Sequence, residues 1–299
     1  MNRVLVPLDG SRLSEAILPL AEALARDYEA DVLLVRALRS RDSAEVAVRA
    51  QEEAEAYLEG IARGLRLRGL AGVAWKVWYD APDRAIVDAA RFNGVDLIAM
   101  STHGRGGLTR LLFGSVAESL VRKAPVPVLL VRGEFAPPPG TIGRILVPLD
   151  GSELSEGILP VVERLAGPFD WTIDLLHAVE PLPGYATVEI SSRHAGEILR
   201  LATRDAETRL AKVAVPLEDK GLRAQWAVRE GPAVDVILRY ARDAGASLIA
   251  MSTHGRSGLG RFFLGSVAER VLREASVPVL IWKAPAEGRT PRPPSAAGG

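Results

Sequence analysis

The chain has no cysteine, which excludes both a disulfide framework and a thiolate metal site. It has no surplus of either charge: 37 basic and 37 acidic side chains balance over 299 residues, with a pI near 6.9. That neutrality removes the electrostatic footprint of a nucleic-acid or membrane-surface binder but leaves room for a local basic pocket around a small anion. No apolar run is long enough to cross a bilayer, and the opening MNRVLVPLDG has no signal-peptide core with a cleavage site. The pattern GxxxxGK[ST] is also missing, so there is no P-loop and fast phosphoryl transfer lacks its usual parts. These absences lead us to expect a soluble cytoplasmic protein with neither nucleic-acid nor membrane partners.

What is present is repetition. RVLVPLDGSRLSEAILPL at 3–20 returns as RILVPLDGSELSEGILPV at 144–161, an offset of 141. MSTHGRGGLTRLLFGSVAE at 100–118 returns as MSTHGRSGLGRFFLGSVAE at 251–269, and KAPVPVLLV at 123–131 as EASVPVLIW at 274–282, both at an offset of 151. The second copy therefore carries ten extra residues, which we place at 180–196. A period this long repeats a whole domain rather than a solenoid unit. We expect one domain over 1–132, a Pro/Gly-rich linker over 133–143, a second domain over 144–284 and a disordered tail over 285–299.

In the first copy, Val4–Leu8, Val32–Ala37, Val73–Trp78, Asp96–Met100 and Val126–Val131 are short, apolar and β-branched, as buried parallel strands are. Amphipathic runs at Ser14–Tyr28, Ala44–Arg68, Pro82–Asn93 and Ser115–Lys123 lie between them. Strands alternating with helices predict a doubly wound, Rossmann-like α/β fold in each copy; for each five-stranded parallel sheet we expect the order 3-2-1-4-5. The fifth strand is then an apolar edge, which tends to find a partner.

In such a sheet a ligand sits beyond the carboxyl ends of the strands where their order reverses. Two loops qualify in each copy. One follows strand one, with Pro7 and Asp9 repeated as Pro148 and Asp150. The other follows strand four: Ser101, His103, Gly104, Arg105 and Gly107, then Gly114-Ser115, repeated as Ser252, His254, Gly255, Arg256 and Gly258, then Gly265-Ser266. Glycines let backbone amides approach an anion, and Gly114-Ser115 opens a helix whose dipole favours a phosphate. Arg105, Arg110, Arg256 and Arg261 would add charge-assisted contacts, with the aspartate on the far wall. The plainer alternative is that Gly104 and Gly114 make turns and Ser115 is an N-cap. Capping needs no particular sequence between the glycines, however, and both copies keep His-Gly-Arg-x-Gly-Leu-x-Arg while the chain has drifted elsewhere.

These residues resemble the universal stress protein family in its tandem form, over about 1–132 and 142–283. Nucleotide-binding members have Gly-x-x-Gly, nine residues, then Gly-Ser or Gly-Thr, after a strand-one Pro-x-Asp. Ser101 and Ser252 replace the first glycine here. The resemblance implies ATP, two per chain, with Gly104, Gly114, Ser115 and Val116 holding phosphates in one site and Gly255, Gly265, Ser266 and Val267 in the other. It also implies Asp9 and Asp150 near the ribose or a nucleotide-bound Mg2+, with Pro7 and Ala37, or Pro148 and Ala178, bordering the adenine. The resemblance implies as well that the two halves pair with each other through the fifth strand. A stress-response sensor that signals nucleotide occupancy to an unknown downstream protein, through motion of 105–113, 256–264 or 180–196, follows from it, and a dimer of chains is compatible with it.

Two other readings stay open: a slow ATPase or adenylyl- or phosphoryl-transferring enzyme, and a scaffold of the same fold that binds no nucleotide. Thr-His-Gly is similar to the histidine-glycine motif of nucleotidyltransferases, which has two histidines where each copy here has one. We therefore read His103 and His254 as orienting their loops and assign no catalytic residue. His177 and His194 have no counterpart in the first copy and read as core or surface residues.

Overall fold

The computed structural model describes residues 1–39, 44–102, 114–133, 143–180, 192–253 and 264–283. The first half runs β1 (Arg3–Pro7), α1 (Arg12–Glu15), α2 (Leu18–Asp27), β2 (Asp31–Leu38), α3 (Ala44–Leu67), β3 (Val73–Tyr79), α4 (Pro82–Phe92), β4 (Leu97–Ser101), α5 (Ser115–Lys123) and β5 (Val128–Val131). The second repeats that order as β6 (Arg144–Pro148), α6 (Glu153–Glu156), α7 (Leu159–Ala166), β7 (Thr172–Val179) and α8 (Ser192–Asp219). It continues through β8 (Arg223–Glu230), α9 (Ala233–Asp243), β9 (Leu248–Ser252), α10 (Ser266–Glu274) and β10 (Val279–Trp282).

All ten strands form one sheet of order β3-β2-β1-β4-β5-β10-β9-β6-β7-β8. Each half thus has the expected 3-2-1-4-5 order. Pairing is parallel within the halves and antiparallel where they meet, with Leu129 opposite Leu280. β5 is an edge only within its own half: four buried residues, Val128 to Val131, make it too apolar to stand in water, and β10 covers it. Burial on both faces is why the central strands read as unbroken apolar runs rather than alternating ones.

On one face the ends of α2 and α7 meet over this seam. Tyr28 stands edge-on to Phe169, with ring centroids 5.0 Å apart, and Phe169 stacks on Trp171 at 4.6 Å. The Tyr28 hydroxyl donates to the carbonyl of Leu165 in the other half. Burial, with Asp27 nearby, pushes this phenol far above the ordinary tyrosine range. Tyr28 and Phe169 are counterparts at the 141 offset, so the repeat's own symmetry brings them face to face.

Two expected elements differ. The run Ser14–Tyr28 divides into α1 and α2, because Pro19 has no N–H for the carbonyl of Glu15 and its ring crowds that carbonyl; Pro160 does the same in the second half. The strand expected from Val126 begins at Val128, just past Pro127. The ten extra residues do lie between the second and third strands of the second half. Val32 and Ile173 are 141 apart, whereas their partners Val73 and Ala224 are 151 apart. Of the expected insertion, 181–191 lies outside the described residues, as do 134–142 of the linker and the whole tail. Among the described residues, no helix is long and apolar enough to cross a membrane.

Candidate functional site

The connection from β1 leads to β2 on one side, while β4, its other neighbour, leads on to β5. Loops leaving the adjacent ends of β1 and β4 therefore diverge and open a crevice, and β6 and β9 repeat the arrangement.

The N–H groups of Leu8 and Leu149 donate to Val35 and Leu176, both at 2.8 Å, and carry the ladder one residue past the strand. Gly10 and Gly151 then turn the chain at φ 85° and 79°, a left-handed conformation glycine adopts without strain. Oδ1 of Asp9 accepts from the Ser11 N–H at 2.9 Å. In the second half, Oδ1 of Asp150 accepts from both the N–H and the hydroxyl of Ser152, at 3.0 and 2.6 Å. Ser11 and Ser152 in turn cap α1 and α6. Each aspartate is thus fixed in place by its own loop.

On the opposite wall, the N–H groups of Gly114 and Gly265 donate to the carbonyls of Thr102 and Thr253, at 3.1 and 2.8 Å. This ties the start of α5 or α10 to the end of β4 or β9. A Cβ on Gly114 would lie 2.6 Å from the Thr102 carbonyl oxygen, and one on Gly265 3.1 Å from that of Thr253. Their φ values, −60° and −56°, suit any residue, so it is the close approach that calls for glycine. Both glycines are the N-caps, and Ser115 is the first helical residue rather than the cap. The glycine amides are committed to the strand end. The helix start offers instead its next three amides, Ser115 to Ala117 or Ser266 to Ala268, which an α-helix leaves without an internal partner.

Between these walls in the second half lies a cavity of about 240 Å³. It brings together the expected residues Pro148, Asp150, Ala178, Ser252, Gly265, Ser266 and Val267. Sequence reasoning missed its apolar side, Leu149, Leu176, Ala233, Ile237 and Met251, because their spacing marks them as ordinary core. Ser155, Thr253 and Ala268, also in the lining, lie inside the repeated stretches but were not singled out. In the first half, the same strand register and helix start put Pro7, Asp9, Ala37, Ser101, Gly114, Ser115 and Val116 at the matching positions. His103, Gly104, Arg105, Gly107 and Arg110, with His254, Gly255, Arg256, Gly258 and Arg261, lie outside the described residues. Ser101 is buried at the end of β4, and the Ser252 hydroxyl donates to the Trp282 carbonyl at 3.3 Å. Serine fits both positions because neither needs a positive φ; among the described residues, Glu29 is the one non-glycine residue that has one.

The surroundings of the two aspartates differ. Beside Asp9, the Tyr57 hydroxyl donates to Glu15 at 2.8 Å and the Arg36 guanidinium lies 5.2 Å from the Tyr57 ring centre. Burial and the Glu15 carboxylate push this phenol far up. Beside Asp150, burial and then Glu153 raise the carboxyl of Glu156. Among the described residues, no group of three or more His, Asp or Glu side chains is placed to hold a metal.

Two doubly wound domains fused through their fifth strands, each with a glycine-capped helix opening at the switch point, define a tandem Rossmann-like protein. The chain belongs to the universal stress protein family, whose sequence model matches residues 1–132 and 141–283. A universal stress protein of Mycobacterium tuberculosis is 32% identical over 195 residues, 63% of this chain and 62% of that protein, so the match spans less than two thirds of that relative. Another, from Methanocaldococcus jannaschii, is 32% identical over 143 residues, 48% of this chain and 82% of the relative. A solved universal stress protein from Archaeoglobus fulgidus superposes with a TM-score of 0.71 at 20% identity, over 95% of this chain and 99% of that one, a likeness of fold.

Proposed function

We propose that the protein is a cytoplasmic stress-response regulator that binds one adenine nucleotide, ATP, at the switch point of each half. The observation that carries this reading is the second-half cavity, walled by Asp150 on one side and by the start of α10 on the other. Its apolar side suits a base, and the amides of the helix start suit phosphate oxygens. At about 240 Å³ it is slightly smaller than the roughly 300–1,000 Å³ typical of small-molecule sites.

In this reading Pro148 and Ala178 flank the base, Asp150 meets the ribose or a nucleotide-borne Mg2+, and Gly265 lets the helix start come close. Pro7, Ala37, Asp9 and Gly114 take the same parts in the first half. A single carboxylate per site suits Mg2+ that arrives with its phosphates, since that ion keeps several waters and needs one or two carboxylates. With Oδ1 of each aspartate engaged by its own loop, the site is built to hold a ligand more than to move protons, which favours sensing over turnover. When bound, the nucleotide supplies a polyanion whose presence or absence is the signal.

Titration calorimetry with Mg-ATP, together with mass spectrometry of whatever nucleotide co-purifies, tests this. Two equivalents per chain are expected; no heat and no thermal shift would instead support the scaffold reading.

A further inference from the structure

The residue that follows β7 differs in kind from the one that follows β2: it is Glu180 in the second half and Arg39 in the first. Strand alternation puts each on the same face as the alanine two residues earlier, Ala178 or Ala37. Ala178 lines the second-half cavity. So does Ala233, the first residue of α9, whose N–H donates to Oε1 of Glu180 at 2.7 Å. The counterpart of Ala233 is Pro82, which has no N–H to give. A carboxylate is therefore pinned at the rim of the apolar wall in the second half, whereas the first half carries an exposed arginine there.

We infer that Glu180 is a specificity-determining residue that selects, in the second half, a purine with an amino group at position 6 over one with a carbonyl there. This rests on the reading of that cavity as a purine-nucleotide site. A carboxylate accepts hydrogen bonds and donates none. With one oxygen held by Ala233, its remaining acceptor capacity attracts an exocyclic amino group and repels a carbonyl oxygen. Adenine and hypoxanthine differ at this position while matching closely in size, so the apolar wall cannot tell them apart and the carboxylate can. Arg39 offers donors alone, so the two halves do not share the preference.

The test is calorimetry of the full chain with ATP and with inosine triphosphate, in the wild type, in Glu180→Gln and in Glu180→Ala. Glutamine keeps a carbonyl oxygen for Ala233 and turns an NH2 group outward. The wild type should contain one class of site that binds ATP about tenfold more tightly than inosine triphosphate, the low end for a charged hydrogen bond because Glu180 is exposed. Glu180→Ala should bring that ratio close to one, and Glu180→Gln should bring it to one or reverse it, with the other class of site unchanged. A ratio that is the same in all three proteins overturns the inference and leaves nucleotide binding standing. No binding of either nucleotide by the wild type overturns both.

Discussion

The two halves solve one layer of their cores in opposite ways. In the first, Leu33 fills the centre of β2, and the nearest ion pair, Arg3 with Asp31, sits at the surface with side chains 39% and 48% exposed. In the second, the counterpart of Leu33 is Asp174, fully buried and gripped by Arg144 at 2.8 and 2.9 Å, with a further hydrogen bond from Gln225. A fold this regular tolerates either an alkyl group or a satisfied carboxylate at the same place. It does not tolerate a carboxylate left alone, because desolvation of an unpaired charge exceeds what packing returns.

That contrast sets the largest expected effect. Arg144→Met should destabilise the protein by about 3 kcal/mol, whereas Arg3→Met should cost under about 1 kcal/mol, both read from denaturant unfolding. Equal losses would mean that the buried pair is nothing special. Next come the helix starts. Gly114→Ala, with its Cβ 2.6 Å from a carbonyl oxygen, should cost about 2 kcal/mol by forcing the backbone apart. Gly265→Ala, at 3.1 Å, should cost under about 1 kcal/mol. Nucleotide stoichiometry should fall from two to one in the Gly114 variant and stay at two in the Gly265 variant.

The seam yields a smaller effect. Tyr28→Phe copies the second half's Phe169 and keeps the ring contacts, so it should cost about 1 kcal/mol for the lost hydrogen bond to Leu165. The smallest effect is one of pH. Asp83 is held down to about 2 by hydrogen bonds from Lys123 and Ser119, and its second-half counterpart is Val234. A carboxyl depressed in the folded state adds stability that is full above its unfolded pKa, about 4, and is lost as pH falls through about 2. Lys123→Met should therefore lower stability by under about 1 kcal/mol at pH 6 and converge with the wild type below pH 2. A gap that persists below pH 2 would assign the effect to packing instead.

Much of this was legible in the chain. The repeat offsets located the insertion, apolar runs marked the strands, and Asp-Gly-Ser and Gly-Ser marked the two loops. Pro19 and Pro160 were equally visible, yet the break they cause was missed because amphipathic spacing continues across it. Leu176, Ala233 and Ile237 could not be assigned to a cavity, since an apolar residue at strand or helix spacing looks the same whether it faces a core or a ligand. Glu180 gave no local signal at all; it matters because α9 returns beside the end of β7 and places the Ala233 amide against it.

By itself the sequence determined the alternation of strands and helices and the duplication, because these follow from periodicity and offset. The tertiary structure alone decided that Tyr28 meets its own counterpart and that the start of α9 meets Glu180. These are contacts between distant segments, and local preference carries no information about which of several compatible surfaces ends up in contact.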